Sequence, residues 1–301
     1  MNQPWQWDGT SKGSAAGHWI FFRLISLFGL WPAYMLCIFV SVYYVLTDKA
    51  AARAIRIFRE HLGKLTTPID LFRHFYSFGV SLLDRYAFLI GKQGLFTFEA
   101  IREDLIVSAL SAKKGAILLG AHIGNWELAG NLLSDRIKAD IFYVMKDVEK
   151  DDIRSVSKPA LQRRRITPIP VGNNGLELVM AVRNALKDNG LVCMHGDRMA
   201  GTKGAQHSFL GKQVTFPTGP FAIAATTGAP IIPIVVTKRG LSTYSFKAFA
   251  PMQFDGVTNE NRDKYIDTAM ERYVGILEQI AKETPLQWFN FYDFWSSPTS
   301  S

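Results

Sequence analysis

Cysteine is nearly absent from this chain. Its 301 residues hold only two, Cys37 in an apolar segment and Cys193 in a predicted strand. Neither a disulfide framework nor a cysteine-based metal site is supported, and the usage fits a reducing compartment. Gly-x-Ser-x-Gly occurs only at Gly9–Gly13 in the Ser/Gly start, not between a predicted strand and helix as an elbow requires, which argues against a serine nucleophile. Acidic residues are outnumbered, 26 against 34 lysines and arginines, leaving a net charge of +8 and an isoelectric point near 9.4. That balance points to an anionic partner: nucleic acid, an anionic membrane or an acidic protein. No zinc-finger, RNP or basic-zipper pattern accompanies the charge, and its cations border an apolar segment, so nucleic acid is not the expected partner. Internal repeats and low-complexity tracts are missing too, apart from a short Ser/Gly start and the tail 296–301, both expected to be disordered.

Hydrophobic residues make up 48% of the chain, enough for a sizeable core. From Leu24 to Leu46 no charge occurs over 23 residues, roughly 34 Å as a helix and enough to cross a bilayer core. Residues 18–47 therefore form the expected membrane segment, favoured as a span. Pro32 leaves an in-plane or re-entrant segment as the alternative. Lys49, Arg53, Arg56, Arg59 and Lys64 crowd its C-terminal flank, against Lys12 and Arg23 before it. The positive-inside rule then puts residues 49 onward in the cytoplasm. Ile55, Phe58 and Leu62 share one helical face with Arg53 and Arg56 away from it, the pattern of a helix lying on anionic headgroups; an ordinary solvated helix is the plainer alternative. Aromatic residues continue through Phe72, Phe75, Tyr76, Phe78 and Phe88, so residues 48–99 read as a membrane-proximal helical region.

From about residue 100 short apolar runs alternate with helical patterns. Strands are expected at Ala116–Leu119, Ile141–Val144, Leu191–Met194, Ile231–Val236 and Tyr244–Phe249. Helices are expected at Trp126–Leu133, Ile153–Arg165, Leu176–Lys187 with Asn189-Gly190 as its cap, and Gly219–Thr227 closed by Gly228. The pattern is α/β over 100–295, with a mixed central sheet flanked by helices and ligands gathered at strand carboxyl ends.

At one such end lies Gly120-Ala121-His122-Ile123-Gly124-Asn125-Trp126-Glu127. A neutral imidazole can take a hydroxyl proton near neutral pH, and a carboxylate can fix its tautomer. Five residues is about 500° of helix, so His122 and Glu127 meet only across a bend. Gly124 permits one. His122 reads as the base and Glu127 as its orienter; without further support, a histidine at a strand end and a surface glutamate would look the same.

Three other segments stand out. Val192–Arg198 ends a strand in an acid-arginine pair: Asp197 is a second acid for the imidazole if the two strands are neighbours, and Arg198 an anion contact, the alternative being a structural ion pair. Arg163, Arg164 and Arg165 suit phosphate or an acidic carrier, or a solvated helix end. In Phe209–Pro233, Thr218 can cap a helix with Pro220 in its first turn, its N-terminus at Gly219 open to a negative group. Phe209, Phe216 and Phe221 serve there as apolar walls or as core.

Taken in this order, the apolar N-terminal segment, the His122–Glu127 motif, Gly196-Asp197-Arg198, the Phe209–Pro233 block and Gln287-Trp288-Phe289 resemble the bacterial lipid A biosynthesis acyltransferase family, within the lysophospholipid acyltransferase superfamily. The resemblance implies a glycerolphosphate acyltransferase-like fold. It implies transfer of an acyl group from acyl carrier protein, or acyl-CoA, to a hydroxyl of a membrane lipid at the bacterial inner membrane, on the cytoplasmic side, with no cofactor and no metal. Residue by residue, His122 becomes general base and Glu127 its partner, Asn125 and Trp126 shape the turn, Asp197 and Arg198 form a second motif, and one of Arg163–Arg165 contacts substrate. The oxyanion then needs a donor, a backbone N–H or a cation such as Arg198. Lipid A members commonly follow the closing tryptophan with a basic run, whereas this chain reads Phe289-Asn290-Phe291-Tyr292-Asp293-Phe294-Trp295. That ending looks more like the aryl polyene and flexirubin-associated branch, so the acceptor is either a lipid A-type glycolipid or another membrane lipid. A hydrolase using the same dyad and a non-catalytic membrane lipid-binding protein are the rival readings.

Overall fold

The computed structural model describes residues 15–145, 166–171, 175–199 and 203–296. Four helices lead the chain: α1 (Ala15–Phe28), α2 (Leu30–Thr47), α3 (Lys49–His61) and α4 (Pro68–Leu89). After them come β1 (Thr97–Ile101), α5 (Asp104–Ser111), β2 (Ala116–Gly120), α6 (Glu127–Arg136), β3 (Ile141–Met145), β4 (Ile166–Pro170), α7 (Gly175–Lys187) and β5 (Leu191–His195). The rest comprises the hairpin β6 (Gly204–Phe209) and β7 (Lys212–Pro217), α8 (Gly219–Thr227), β8 (Ile231–Lys238), β9 (Thr243–Ala248) and α9 (Arg262–Glu283).

Seven strands build one mixed sheet in the order β1-β9-β8-β2-β5-β3-β4. Strands β8, β2, β5, β3 and β4 run parallel to their neighbours, and β9 is antiparallel to β8. Central strands β2 and β5 are buried almost throughout, as expected when helices cover both faces. One face packs Ile117, Leu119 and Val192 under α7, α8 and α9; the other packs Leu118, Cys193 and Val236 under α4 and α6. Crossover helices put the carboxyl ends of β2, β5 and β8 along one edge.

The uncharged run 24–46 is not one helix. Gly29, at φ 82, breaks it into α1 and α2, a conformation glycine adopts without the Cβ penalty of other residues. Pro32 falls in the first turn of α2, where a missing N–H costs nothing, so it starts a helix rather than kinking one. Among the described residues, Leu30–Thr47 alone is a helix long and apolar enough to cross a membrane. One side of α2, with Ala33, Tyr34, Cys37 and Ser41, is buried, while Trp31, Met35, Phe39, Tyr43 and Leu46 stand exposed.

The apolar face of α3 is likewise not left for headgroups: Ile55 and Phe58 are buried in the core. Arg59 turns inward to Asp70 at 3.0 Å. Thr67 and Asp70 form a reciprocal capping box that starts α4. Inside the body, Asp84 of α4 is fully buried and takes hydrogen bonds from the hydroxyls of Tyr34 and Tyr244 and from Lys238 Nζ. One carboxylate thereby joins α2, α4, β8 and β9.

Candidate active site

Register decides what meets at the sheet edge. Gly120 of β2 lies opposite His195 of β5, so the chains leaving these strands run side by side. Two residues further on, Asp197 Oδ2 accepts the backbone N–H of His122 at 2.9 Å, and its Oδ1 lies 2.9 Å from His122 Nδ1. Asn290 Nδ2 donates to Oδ2 at 2.9 Å. The Asp197 side chain is wholly buried. Burial opposes its charge, but His122, Arg198 and His195 outweigh that and hold its pKa below the usual carboxylate range. Burial first, then the Arg198 charge, push the His122 pKa below that of a free imidazole, with Asp197 opposing both. The ring is therefore a neutral base at neutral pH, its Nδ1 engaged with the carboxylate.

The backbone around the pair is tightly specified. A side chain on Gly196 would come within 2.9 Å of the Tyr273 ring, whose hydroxyl donates to Gly120 O at 2.7 Å. Gly124 sits at φ 64, and a Cβ there would overlap the Val236 carbonyl. It makes the bend that turns the chain from β2 toward α6. Asn125, buried, finishes the turn: its N–H donates to Val236 O at 2.8 Å and its amide to Ser81 O at 2.9 Å. The closing segment then clasps the turn, Gly124 N–H donating to Gln287 O and Phe289 N–H to His122 O, both at 2.8 Å.

Residues 93–297 match the family described as bacterial lipid A biosynthesis acyltransferase. That span covers most of the chain and contains His122, Asp197 and the clasping segment. The chain belongs to the bacterial lipid A biosynthesis acyltransferase family. It is also similar to phosphatidylinositol mannoside acyltransferases. One from Mycolicibacterium smegmatis is 29% identical over 146 residues, 45% of this chain and 44% of the relative. One from Mycobacterium tuberculosis H37Rv is 28% identical over 132 residues, 43% of this chain and 41% of the relative. The matched stretch is thus less than half of each of these relatives.

In this member of the acyltransferase family Asp197 is the acid at His122 Nδ1; Glu127 has its own ion pair. It starts α6 and forms an ion pair with Arg85 of α4; the bend at Gly124 carries it toward α4 while β5 delivers Asp197 to Nδ1. Arg198 is turned to the closing segment, Nε donating to Asn290 Oδ1 at 2.6 Å and a terminal nitrogen to Phe289 O at 3.0 Å. It braces the Asp197–Asn290 contact. Trp126 sets its ring edge-on to His122 at 4.8 Å between centroids. Phe216 is core, packed with Phe209 and Phe294. Gly219 is exposed at the start of α8, and Thr218 does not cap that helix with its side chain, donating instead to Lys203 O. Arg163, Arg164, Arg165 and the helix expected over 153–165 lie outside the described residues.

Three side chains at the site escaped the sequence reading: His195, Asn290 and Arg85. His195 stood in the quoted strand end without a role. Asn290 and Arg85 are far from the motif along the chain, and only tertiary packing brings them in. Among the described residues no group of three or more histidines, cysteines and carboxylates is placed to hold a metal ion. A cavity of about 200 Å³ lies beside the site, bounded by Tyr34, Tyr76, Ser81, Lys238, Tyr244 and Phe289.

Proposed function

We propose that this chain transfers a fatty acyl group from an acyl thioester, carried by acyl carrier protein or coenzyme A, to a hydroxyl of a membrane lipid. The observation that carries the reading is the buried His122–Asp197 pair at the edge of the sheet. With Nδ1 given to Asp197, Nε2 takes the hydroxyl proton as the oxygen attacks the thioester carbonyl, and the thiolate leaves with that proton. Membership of an acyltransferase family supports the reaction class. The names of the mycobacterial relatives favour a glycolipid acceptor, and the ending without a basic run favours one other than a lipid A precursor.

The reading includes a membrane seat. Support comes from the exposed apolar face of α2 opposite its packed face, a division suited to a helix lying in the interface with its body attached, rather than one surrounded by lipid. Exposed Lys49, Arg53 and Arg56 beside it suit anionic headgroups on the cytoplasmic side of an inner membrane. Donor and acceptor held side by side there react with the advantage of orientation.

Mass spectrometry of whole lipid extracts, from cells with and without the chain, tests the proposal. A lipid that gains one acyl mass only when the chain is present supports it and names the acceptor. Free fatty acid released with no lipid acylated points to a hydrolase instead. No change in any lipid leaves a binding role.

A further inference from the structure

His195 ends β5 opposite Gly120 and emerges on the α6 face. Its ring lies 4.5 Å from that of His122, centroid to centroid, and 5.6 Å from Trp126, edge-on. Tyr143 closes the other side at 6.1 Å. The residue is partly buried, and among the described residues no group pairs with either ring nitrogen. His122, beside it, is bonded to Asp197. Neither nitrogen is sealed from solvent, so beside the base each stays open to a ligand atom. Burial, with the charges of His122 and Arg198 added and Asp197 opposing, pushes its pKa down to about 3. The ring is neutral and offers one N–H and one lone pair.

The proposed reaction needs such a donor. Arg198, the cation expected to meet the oxyanion, faces the closing segment. Resting on the acyl-transfer reading, we propose that His195 is a second catalytic imidazole, donating its ring N–H to the thioester carbonyl oxygen as that oxygen becomes an oxyanion. As the acceptor oxygen bonds to the carbonyl carbon, the C=O π pair moves to the oxygen and the hydroxyl proton to His122. When the C–S bond breaks, that pair returns to re-form the C=O and the thiolate takes the proton from His122. His195 keeps its proton throughout. A neutral donor suits this place better than a cation, because a full charge in contact with His122 would lower the basicity that the first step requires. Trp126, packed on both rings, fixes the angle between them.

Transfer from a labelled acyl thioester to membrane lipid, measured on the full chain in membranes, tests the assignment with His195→Ala and His195→Gln. The alanine variant is expected to lose about 10²- to 10³-fold in kcat with KM for the thioester unchanged. Glutamine, which retains an N–H donor, is expected to recover most of that loss. The acidic limb of the pH profile, set by His122, should stay where it is in the glutamine variant. Thermal unfolding midpoints check that both variants fold, and His195→Phe replaces the alanine variant if the smaller side chain collapses the site. Wild-type rates in a folded His195→Ala or His195→Phe overturn the proposal alone. So does a glutamine variant as slow as alanine with its limb displaced, which would make His195 a positioning residue for His122. A wild-type chain that transfers no acyl group from either thioester overturns the acyl-transfer reading and the proposal with it.

Discussion

One carboxylate holds His122 by two handles: Asp197 accepts its backbone N–H through Oδ2 and faces its ring Nδ1 through Oδ1, each at 2.9 Å. Backbone and side chain of the base are set by the same residue, so ring position and tautomer are fixed together. Asp197→Asn should therefore leave the fold in place but lower acyl transfer by about 10²- to 10⁴-fold, the range for losing general base catalysis. Steady-state rates beside a near-ultraviolet circular dichroism spectrum would measure both effects.

Protonation of His122 gives a pH dependence with a definite sign. In the proposed reaction the neutral ring is the base, and its pKa is lowered from 6.5, by burial first and then by Arg198. Activity should rise with pH along an acidic limb centred below 6.5 and stay high through neutrality. A kcat/KM profile with that limb above 6.5 would contradict the environment described here.

Glu127 and Arg85 act as a unit. Their ion pair ties the first turn of α6 to α4, at a side-chain exposure of 27% and 16%. Glu127→Gln and Arg85→Ala should each slow transfer, and the double variant should be no slower than the worse single one. Additive losses in that cycle would separate the two residues.

The buried Asp84 cluster is a fastener for the N-terminal helices. Removing the carboxylate strands Lys238 and frees the Tyr34 and Tyr244 hydroxyls. Asp84→Ala should cost about 3–5 kcal/mol in stability. Denaturant titration reads the loss, and amide exchange should speed up along α2 first.

The central strands were legible because β2, β5 and β8 are apolar runs bounded by turn residues, and their order along the chain implied a parallel arrangement with His122 and Asp197 at strand ends. Edge elements were not. Strand β1 is mostly exposed and β4 contains Pro168 and Pro170, so neither carries the pattern of a buried strand. Strand β6 of the hairpin buries only Phe209, so it carries no apolar run to mark it. At the site, proximity along the chain favoured Glu127 as the partner of His122, whereas strand register delivered Asp197. A register between strands 75 residues apart is set by packing, not by local spacing. The same holds for Asn290 and His195, whose roles emerge only where the closing segment and β5 meet the motif turn.

The central claim is that His122 makes a lipid hydroxyl nucleophilic. Acyl transfer by wild type and His122→Ala, compared at equal amounts in the same membranes from a labelled thioester, tests it most directly. The alanine variant should fall by about 10²- to 10⁴-fold while staying folded and membrane-bound. A variant that acylates lipid at the wild-type rate would contradict the account.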